Sequence, residues 1–155
     1  MAHIHEQIDF AVGALIVHGG RVLFIHHKLF NMWFPPGGHV ELHEDTDQAL
    51  RREIKEETGL GIQLLNRKFD ADEPGVKSLH TPDFMDIHQI GEGHRHIGML
   101  YVATAVSDHV TLKPDEHYDI RWFTADEIQD PNFNTRQSVR AYALEALRRV
   151  ASNTE

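Results

Sequence analysis

The chain has 155 residues, of which 24 are Asp or Glu, 15 are Lys or Arg and 13 are His, so its formal charge is −9 with neutral histidine. This length suits one domain with its own hydrophobic core, and we predict a single domain over residues 1–155. The acidic balance argues against a stable nucleic-acid complex, because such affinity comes from Lys and Arg on phosphates. The absence of cysteine from the sequence excludes disulfides, thiolate nucleophiles and cysteine-ligated zinc.

The first ten residues lack the basic region and apolar run of a signal peptide. No stretch of the sequence approaches the roughly 20 apolar residues of a membrane span. We therefore expect a cytoplasmic protein without a membrane partner.

The first predicted elements form a hairpin. Two β-rich runs, residues 8–17 and 21–27, flank Gly19-Gly20. The first run is apolar at almost every position, which is typical of a strand covered on both faces. The sequence WFPPGG at residues 33–38 then predicts a rigid turn followed by flexible backbone.

A helix is predicted to begin near Asp45, which has capping-box spacing to Gln48, and to end at Gly59. The following segments are predicted as strands over residues 62–69, 84–90, 96–106 and 120–123, with a polar loop over residues 70–83. A second capping box at Thr124 and Glu127 and a C-terminal amphipathic helix complete the order β-β-α-β-β-β-β-α. This order predicts an α/β protein with a mixed sheet and helices on its faces.

The helix that follows Asp45 carries an unusual acidic side. At 100° per residue, Glu53, Glu56 and Glu57 lie together and border the apolar stripe. Like charges at i,i+3 and i,i+4 cost a few tenths of a kcal/mol each, and acids in the last turn oppose the helix dipole by roughly 0.3–1 kcal/mol. A hard divalent cation would remove both penalties. The alternative is a solvated charged face, as most charge runs are.

The residues around these glutamates distinguish the two interpretations. From Gly38 to Leu60 the chain reads G-x5-E-x7-R-E-I-x-E-E-x-G-L. This segment resembles in full the signature of the Nudix hydrolase family. The order of strands, loop and helix extends the resemblance to most of the chain.

The resemblance implies an α/β/α sandwich with a mixed β-sheet. It also implies a Mg²⁺-dependent pyrophosphohydrolase, with Mn²⁺ as a substitute, that cleaves a nucleoside diphosphate linked to another moiety. ADP-ribose, nucleotide sugars and nucleoside triphosphates are the substrate classes left open. Water activated by the metal would attack phosphorus, and the metal would offset the negative charge of the protein.

The resemblance also assigns roles to residues of the signature. Glu53, Glu56 and Glu57 would bind the metal and take part in catalysis, and Arg52 would orient a glutamate. Metal-supporting roles fall to Gly37, Gly38 and Glu44, with Glu41 as a secondary candidate. Glu53 is the first candidate for the base, and a later acid, Glu92, Glu116 or Asp119, is the alternative.

The histidines form a second group of candidates. His88, His94 and His96 cluster around a predicted turn and could contact substrate phosphate, act as a base or bind metal, as opposed to being ordinary strand histidines. His39 and His43 flank the signature and are candidates for phosphate contact. We expect one of His26-His27 to face the cleft, and we expect His3, His5 and His109 to be exposed.

Other interpretations of the chain stay open. A non-catalytic nucleotide-binding module of the same fold is the main alternative, and a plain cation-binding domain is the third. The aromatic residues Trp33, Phe34, Phe84 and Trp122 are expected in the core, with one of them free to stack on a nucleobase. A homodimer is a further possibility.

Overall fold

The computed structural model describes residues 7–153. Its strands are β1 Ile8–His18, β2 Arg21–His27, β3 Met32–Phe34, β4 Gly37–His39, β5 Gln63–Leu64, β6 Phe84–Gly91, β7 His94–Thr104 and β8 His117–Phe123. Its helices are α1 Thr46–Thr58, α2 Ala125–Gln129 and α3 Gln137–Asn153.

Strand β1 lies at the centre of one mixed sheet. It runs parallel to β7 over ten residue pairs, from Ile8 opposite Arg95 to Val17 opposite Thr104. Its other edge pairs antiparallel with β4 near its start and with β2 near its end. Strands β3 and β8 extend the sheet beyond β2, and β5 and β6 pair with β7. The predicted mixed sheet is confirmed.

The hairpin between β1 and β2 follows from its two glycines. Gly19 and Gly20 have φ values of 55° and 71°. Two consecutive residues in the left-handed region match the twist of a hairpin, and glycine adopts that region without a Cβ penalty. The apolar run of β1 can therefore fold back directly onto β2.

Helices cover both faces of the sheet. On one face, Ala49, Leu50 and Ile54 of α1 pack with residues of β1, β2 and β7 in one buried cluster. On the other face, Val139 and Ala143 of α3 belong to a second cluster with residues of the same strands. This arrangement confirms the α/β/α sandwich. Burial on both faces also explains why the sequence of β1 is apolar at consecutive positions.

The strand predicted over residues 96–106 is shifted by two residues to His94–Thr104, and three other predicted boundaries were wrong by more. The strand predicted over residues 62–69 is reduced to Gln63–Leu64, which pair with the last residues of β7, after which the chain leaves the sheet and Phe69 is exposed. The turn predicted over residues 33–38 contains parts of β3 and β4, because Gly37 and Gly38 pair with β1. Strand β8 begins three residues earlier than predicted, at His117.

Among the helices of residues 7–153, none combines the length and the apolar character that a membrane span requires.

Candidate active site

Helix α1 is fixed in place by its caps and its apolar stripe. The Asp45 side chain accepts the Gln48 N–H, the Gln48 side chain accepts the Asp45 N–H, and Gly59 ends the helix with φ 76°. Leu50 and Ile54 are fully buried and set the rotation of the helix against the sheet. The capping-box and glycine-cap predictions are confirmed.

The rotation of α1 buries two of the three glutamates of its acidic side and leaves the third exposed. Glu53 and Glu57 are buried, at 7% and 4% exposure, whereas the Glu56 side chain is 49% exposed. Buried carboxylates are rare unless they are paired or bind a cation. The solvated-face interpretation therefore fails for Glu53 and Glu57 and fits only Glu56.

Both oxygens of Glu57 have partners from other elements. The Gly37 N–H donates to Oε2 at 2.8 Å, and His117 Nε2 lies 3.2 Å from Oε1. His117 is itself buried at 2% exposure. These contacts hold the carboxylate of α1 against β4 and β8.

Glu53 lies against the backbone of Gly38. A Cβ at residue 38 would come within 2.3 Å of Glu53 Oε1 and 2.4 Å of its Cδ. Only glycine therefore lets the carboxylate approach this backbone so closely. Burial raises the pKa of Glu53, and the hydrogen bond from Arg52 opposes that rise.

Arg52 connects the other acids of the signature. Its guanidinium binds Glu44 through two bonds, Nε to Oε2 at 3.0 Å and Nη2 to Oε1 at 2.5 Å. Its Nη1 also donates to Glu53 Oε1 at 2.9 Å, and its Nη2 donates to the His39 carbonyl at 3.1 Å. The hydrogen bonds from Arg52 lower the pKa of Glu44 and so keep that acid ionised. Arg52 Nη1 also lies 3.5 Å from Glu56 Oε2, so this arginine clamp contacts three glutamates of the signature.

These residues fit a hard divalent cation. The signature implies carboxylate oxygens of Glu53, Glu56 and Glu57 as the donors, beside the backbone of Gly37-Gly38, and oxygen is the ligand atom that Mg²⁺ prefers. Glu116 and His117 also bring one ligand atom each within 4.8 Å of an oxygen of Glu57. Lys113 holds Glu116 at 2.8 Å, and this hydrogen bond lowers the pKa of Glu116. Glu116 is thus the later acid that lies nearest to the predicted site.

Glu57 and Glu116 line a cleft of about 520 Å³, whereas Glu53 and Glu56 are not among its lining residues. Its lining includes Gly37, Gly38, Glu57, Glu116 and His117 from the site described above. A volume of this size is typical of a small-molecule pocket. Two basic side chains, Lys28 and Arg136, also line it. They supply positive charge where an anionic ligand would enter.

The histidines divide into several environments. His27, His39, His88 and His96 line the cleft, and His26 stacks on Trp33 instead, so one of the pair 26–27 faces the cleft as predicted. His94 is not among the lining residues. Its Nε2 lies 3.1 Å from Oδ2 of the buried Asp9. His43 and His109 are exposed, and His3 and His5 lie outside the described residues.

Burial and neighbouring imidazoles lower the pKa of two histidines that line the cleft. Burial, with a smaller contribution from His39 and His88, lowers the pKa of His96 to about 4. Burial and the nearby His117 lower the pKa of His27. Both rings are therefore neutral near pH 7 and can accept a hydrogen bond or bind a metal through nitrogen.

The aromatic residues mostly pack as predicted. Trp33 contacts Phe123 edge-on at 4.8 Å, Phe84 stacks on Tyr142 at 4.7 Å, and Trp122 lies beside His18. Phe34 differs, since it lines the cleft together with Phe30. Of these four predicted aromatic residues, Phe34 is thus the one that lines the cleft.

Sequence reasoning missed two buried polar residues, His117 and Asp9. His117 follows a loop and has no local motif, so nothing in the sequence pointed to it. Asp9 carried a usable signal, because it is the one acid inside the apolar run of β1.

Replacing Gly38 by alanine is expected to lower turnover by about 10- to 100-fold with the fold retained, because a displaced reacting group is costly in catalysis. The new Cβ would push the Glu53 carboxylate from the place where Arg52 holds it. Turnover of a cleavable nucleotide and the melting temperature measure the two effects. Gly61→Ala is the matched control, since a Cβ there meets open space. Full activity of Gly38→Ala would contradict the close approach.

The fold is an α/β/α sandwich with a mixed sheet, and the buried carboxylate of Glu57 lines its cleft. The NUDIX domain family matches residues 8–144. A solved hydrolase of the NUDIX family from Clostridium perfringens superposes with a TM-score of 0.82 at 30% identity, covering 92% of this chain and 97% of that one. The chain therefore belongs to the Nudix hydrolase family, whose named members act on phosphoric anhydride bonds.

Two curated relatives of the chain also have hydrolase names. The RNA pyrophosphohydrolase of Caulobacter vibrioides is 32% identical over 138 residues, which are 81% of this chain and 77% of that protein. The m7GpppN-mRNA hydrolase NUDT17 of Xenopus laevis is 61% identical over 33 residues, but this match spans 21% of this chain and 11% of that protein.

Proposed function

We propose that this protein is a Mg²⁺-dependent pyrophosphohydrolase that cleaves a nucleoside diphosphate linked to another moiety. The observation that carries the proposal is the pair of buried carboxylates on α1. Glu57 lines a nucleotide-sized cleft, and Glu53 lies against Gly38, which lines the same cleft. Glu53 rests in a space that only glycine leaves open, and Glu57 is fixed by two other strands. Burying two acids on one helix side is costly, and a cation would add to the compensation that Arg52 and His117 provide.

Glu53, Glu56 and Glu57 would hold the cation, with the Gly37-Gly38 backbone beside them. When bound, Mg²⁺ neutralises phosphoryl oxygens and lowers the pKa of an attacking water. Mn²⁺ offers the same oxygen-ligand chemistry and is the expected substitute. The cation also reverses the local sign of an acidic protein that would otherwise repel its substrate.

The side chains of the protein then divide the remaining tasks. Arg52 holds Oε1 of Glu53, so Oε2 is the oxygen to which we assign acceptance of the proton from water. Lys28 and Arg136 would bind phosphate oxygens that lie farther from the carboxylates. Phe34 would stack on a flat group such as a nucleobase, and Arg136 lies over its ring at 5.8 Å.

The cleft favours a small nucleotide over a polymer. Its volume of about 520 Å³ holds a molecule of drug or cofactor size. The formal charge of −9 offers little attraction for the many phosphates of a nucleic acid. Relatives named for RNA substrates nevertheless justify including RNA ends in the test.

The protein is expected to release phosphate-bearing products from at least one compound when Mg²⁺ or Mn²⁺ is present. The panel consists of ADP-ribose, nucleotide sugars, dinucleoside polyphosphates, nucleoside triphosphates, and short RNA with a triphosphate or a cap at its 5′ end. Products are separated by ion-exchange chromatography, and a chelator without added metal is the control. A lack of product from every compound, with binding of one of them, would favour the non-catalytic nucleotide-binding module.

A further inference from the structure

Asp9 is a buried acid that the proposed reaction does not use. It lies near the start of the central strand β1 and is 2% exposed. An isolated carboxylate at such a place would be strongly destabilising unless positive or hydrogen-bonding groups surround it. The residues around Asp9 therefore decide what this position does.

The sheet register brings three histidines to the same side of the sheet as Asp9. His96 of β7 is the direct partner of Asp9 across the parallel pair, and His94 lies two residues before it. His39 of β4 pairs with Ala11, two residues after Asp9. Since side chains alternate along a strand, residues two apart share a face. Each of the three histidines is 8% exposed, so the group is buried as a whole.

The ligand atoms of Asp9, His94 and His96 converge, and His39 lies beside two of them. His94 Nε2 lies 3.1 Å from Asp9 Oδ2, and His39 Nε2 lies 3.5 Å from the same oxygen. His39 Nε2 and His96 Nε2 are 3.1 Å apart. One ligand atom from each of Asp9, His94 and His96 lies within 4.8 Å of the other two. Ligands about 2.0–2.1 Å from a tetrahedral metal are separated by about 3.3–3.4 Å. The distances of 3.1 Å and 3.5 Å given above are close to this separation.

We propose that Asp9, His94 and His96 bind a zinc-class transition-metal ion, with His39 as the fourth donor. Three imidazole nitrogens and one carboxylate suit Zn²⁺ or Co²⁺, whereas Mg²⁺ prefers an all-oxygen site that keeps water ligands. The site is therefore chemically distinct from the glutamates of α1. His39 and His96 also line the cleft, so the proposed site borders it. Four protein donors are typical of a structural site without an open position.

The proposed site would tie together the strands that support the catalytic glutamates. Asp9 is on β1, His39 on β4, and His94 and His96 on β7. His39 directly follows Gly38, against which Glu53 rests, and the His39 carbonyl accepts a bond from Arg52. A metal bound to the His39 ring would fix this short strand from the opposite side. The expected consequence is a higher melting temperature of the metal-loaded protein.

The test uses Co²⁺ and Zn²⁺ on chelator-treated full-length protein, with excess Mg²⁺ present to occupy the carboxylate site. One equivalent of Co²⁺ is expected to give the intense visible absorption of a tetrahedral ion, and Zn²⁺ is expected to displace it. His94→Asn and His96→Asn should each weaken Zn²⁺ binding by about 100-fold or more, since loss of even a supporting residue costs 10- to 100-fold. His109→Asn is the matched control at an exposed histidine.

Glu57→Gln separates this proposal from the proposed function. It should abolish hydrolysis yet leave the Co²⁺ spectrum and the Zn²⁺ affinity unchanged. The proposal is overturned if Zn²⁺ binds equally to His94→Asn, if Glu57→Gln alone removes the Co²⁺ signal, or if the wild type binds neither ion in excess Mg²⁺. Should the histidine variants not fold, X-ray absorption of the zinc-loaded wild type decides: imidazole scattering supports the site, and an oxygen-only shell overturns it.

Discussion

Replacing Glu57 by glutamine is expected to lower Mg²⁺-dependent turnover by at least about 100-fold, or about 2.7 kcal/mol, while the protein stays folded. Glutamine has nearly the same shape as glutamate, and its amide oxygen can still accept the Gly37 N–H that now binds Oε2. Its amide nitrogen would face the His117 ring, whose nitrogen can accept a hydrogen bond in one tautomer. The substitution therefore removes a charge with little change in packing.

The measurement compares steady-state turnover with the far-ultraviolet circular dichroism spectrum and the melting temperature of the same preparations. Glu73→Gln is the matched control, because it makes the same charge change in an exposed loop. Turnover of Glu57→Gln equal to that of the control would exclude Glu57 from the metal site. A large drop in melting temperature would instead mean that the ionised carboxylate mainly supports the fold.

The parts of the fold that the sequence predicted well are those specified by local signals. Helix α1 begins and ends where its capping residues lie, because Asp45 and Gln48 exchange hydrogen bonds and Gly59 adopts the left-handed region. The hairpin at Gly19-Gly20 is equally local. Each of these signals lies within a few residues of the structure that it determines.

The boundaries that the sequence missed depend on distant partners. The predicted strand over residues 62–69 has a suitable composition, but only two residues find free backbone at the end of β7. The sequence predicted flexible backbone at Gly37 and Gly38, yet both residues pair with β1. Strand length is set by the neighbour that is available, and one sequence does not reveal that neighbour.

In the candidate site, too, some residues were predicted from local sequence and others are placed by distant contacts. The positions of Glu53, Arg52 and Glu57 follow from one continuous signature on one helix. His117 reaches Glu57 from a strand 60 residues later, and Asp9 meets His94 and His96 through parallel pairing across the sheet. The sequence predicted a histidine cluster, but the acid at its centre needed the strand register.

Replacing Arg52 by lysine is expected to lower turnover by about 100-fold and to reduce the free energy of unfolding by about 1–3 kcal/mol. A lysine ammonium can replace one of the contacts of the guanidinium but not the two parallel bonds to Glu44. The Glu44 side chain is 6% exposed, so water reaches it poorly and its lost bonds are not regained. The positive charge is kept, which isolates geometry as the cause.

The two effects have separate origins in the arginine clamp. Loss of the Nη1 bond to Glu53 releases the proposed base and ligand, and loss of the Nη2 bond to the His39 carbonyl loosens β4. Arg51→Lys is the matched control, because the neighbouring Arg51 is exposed and donates to the Ile62 carbonyl at 3.2 Å. Turnover, the Mg²⁺ concentration at half-maximal rate and urea unfolding are measured for both variants. If Arg52→Lys retains full turnover with weakened stability, the clamp supports the fold alone, and Glu53 is positioned by Gly38 without help from the arginine.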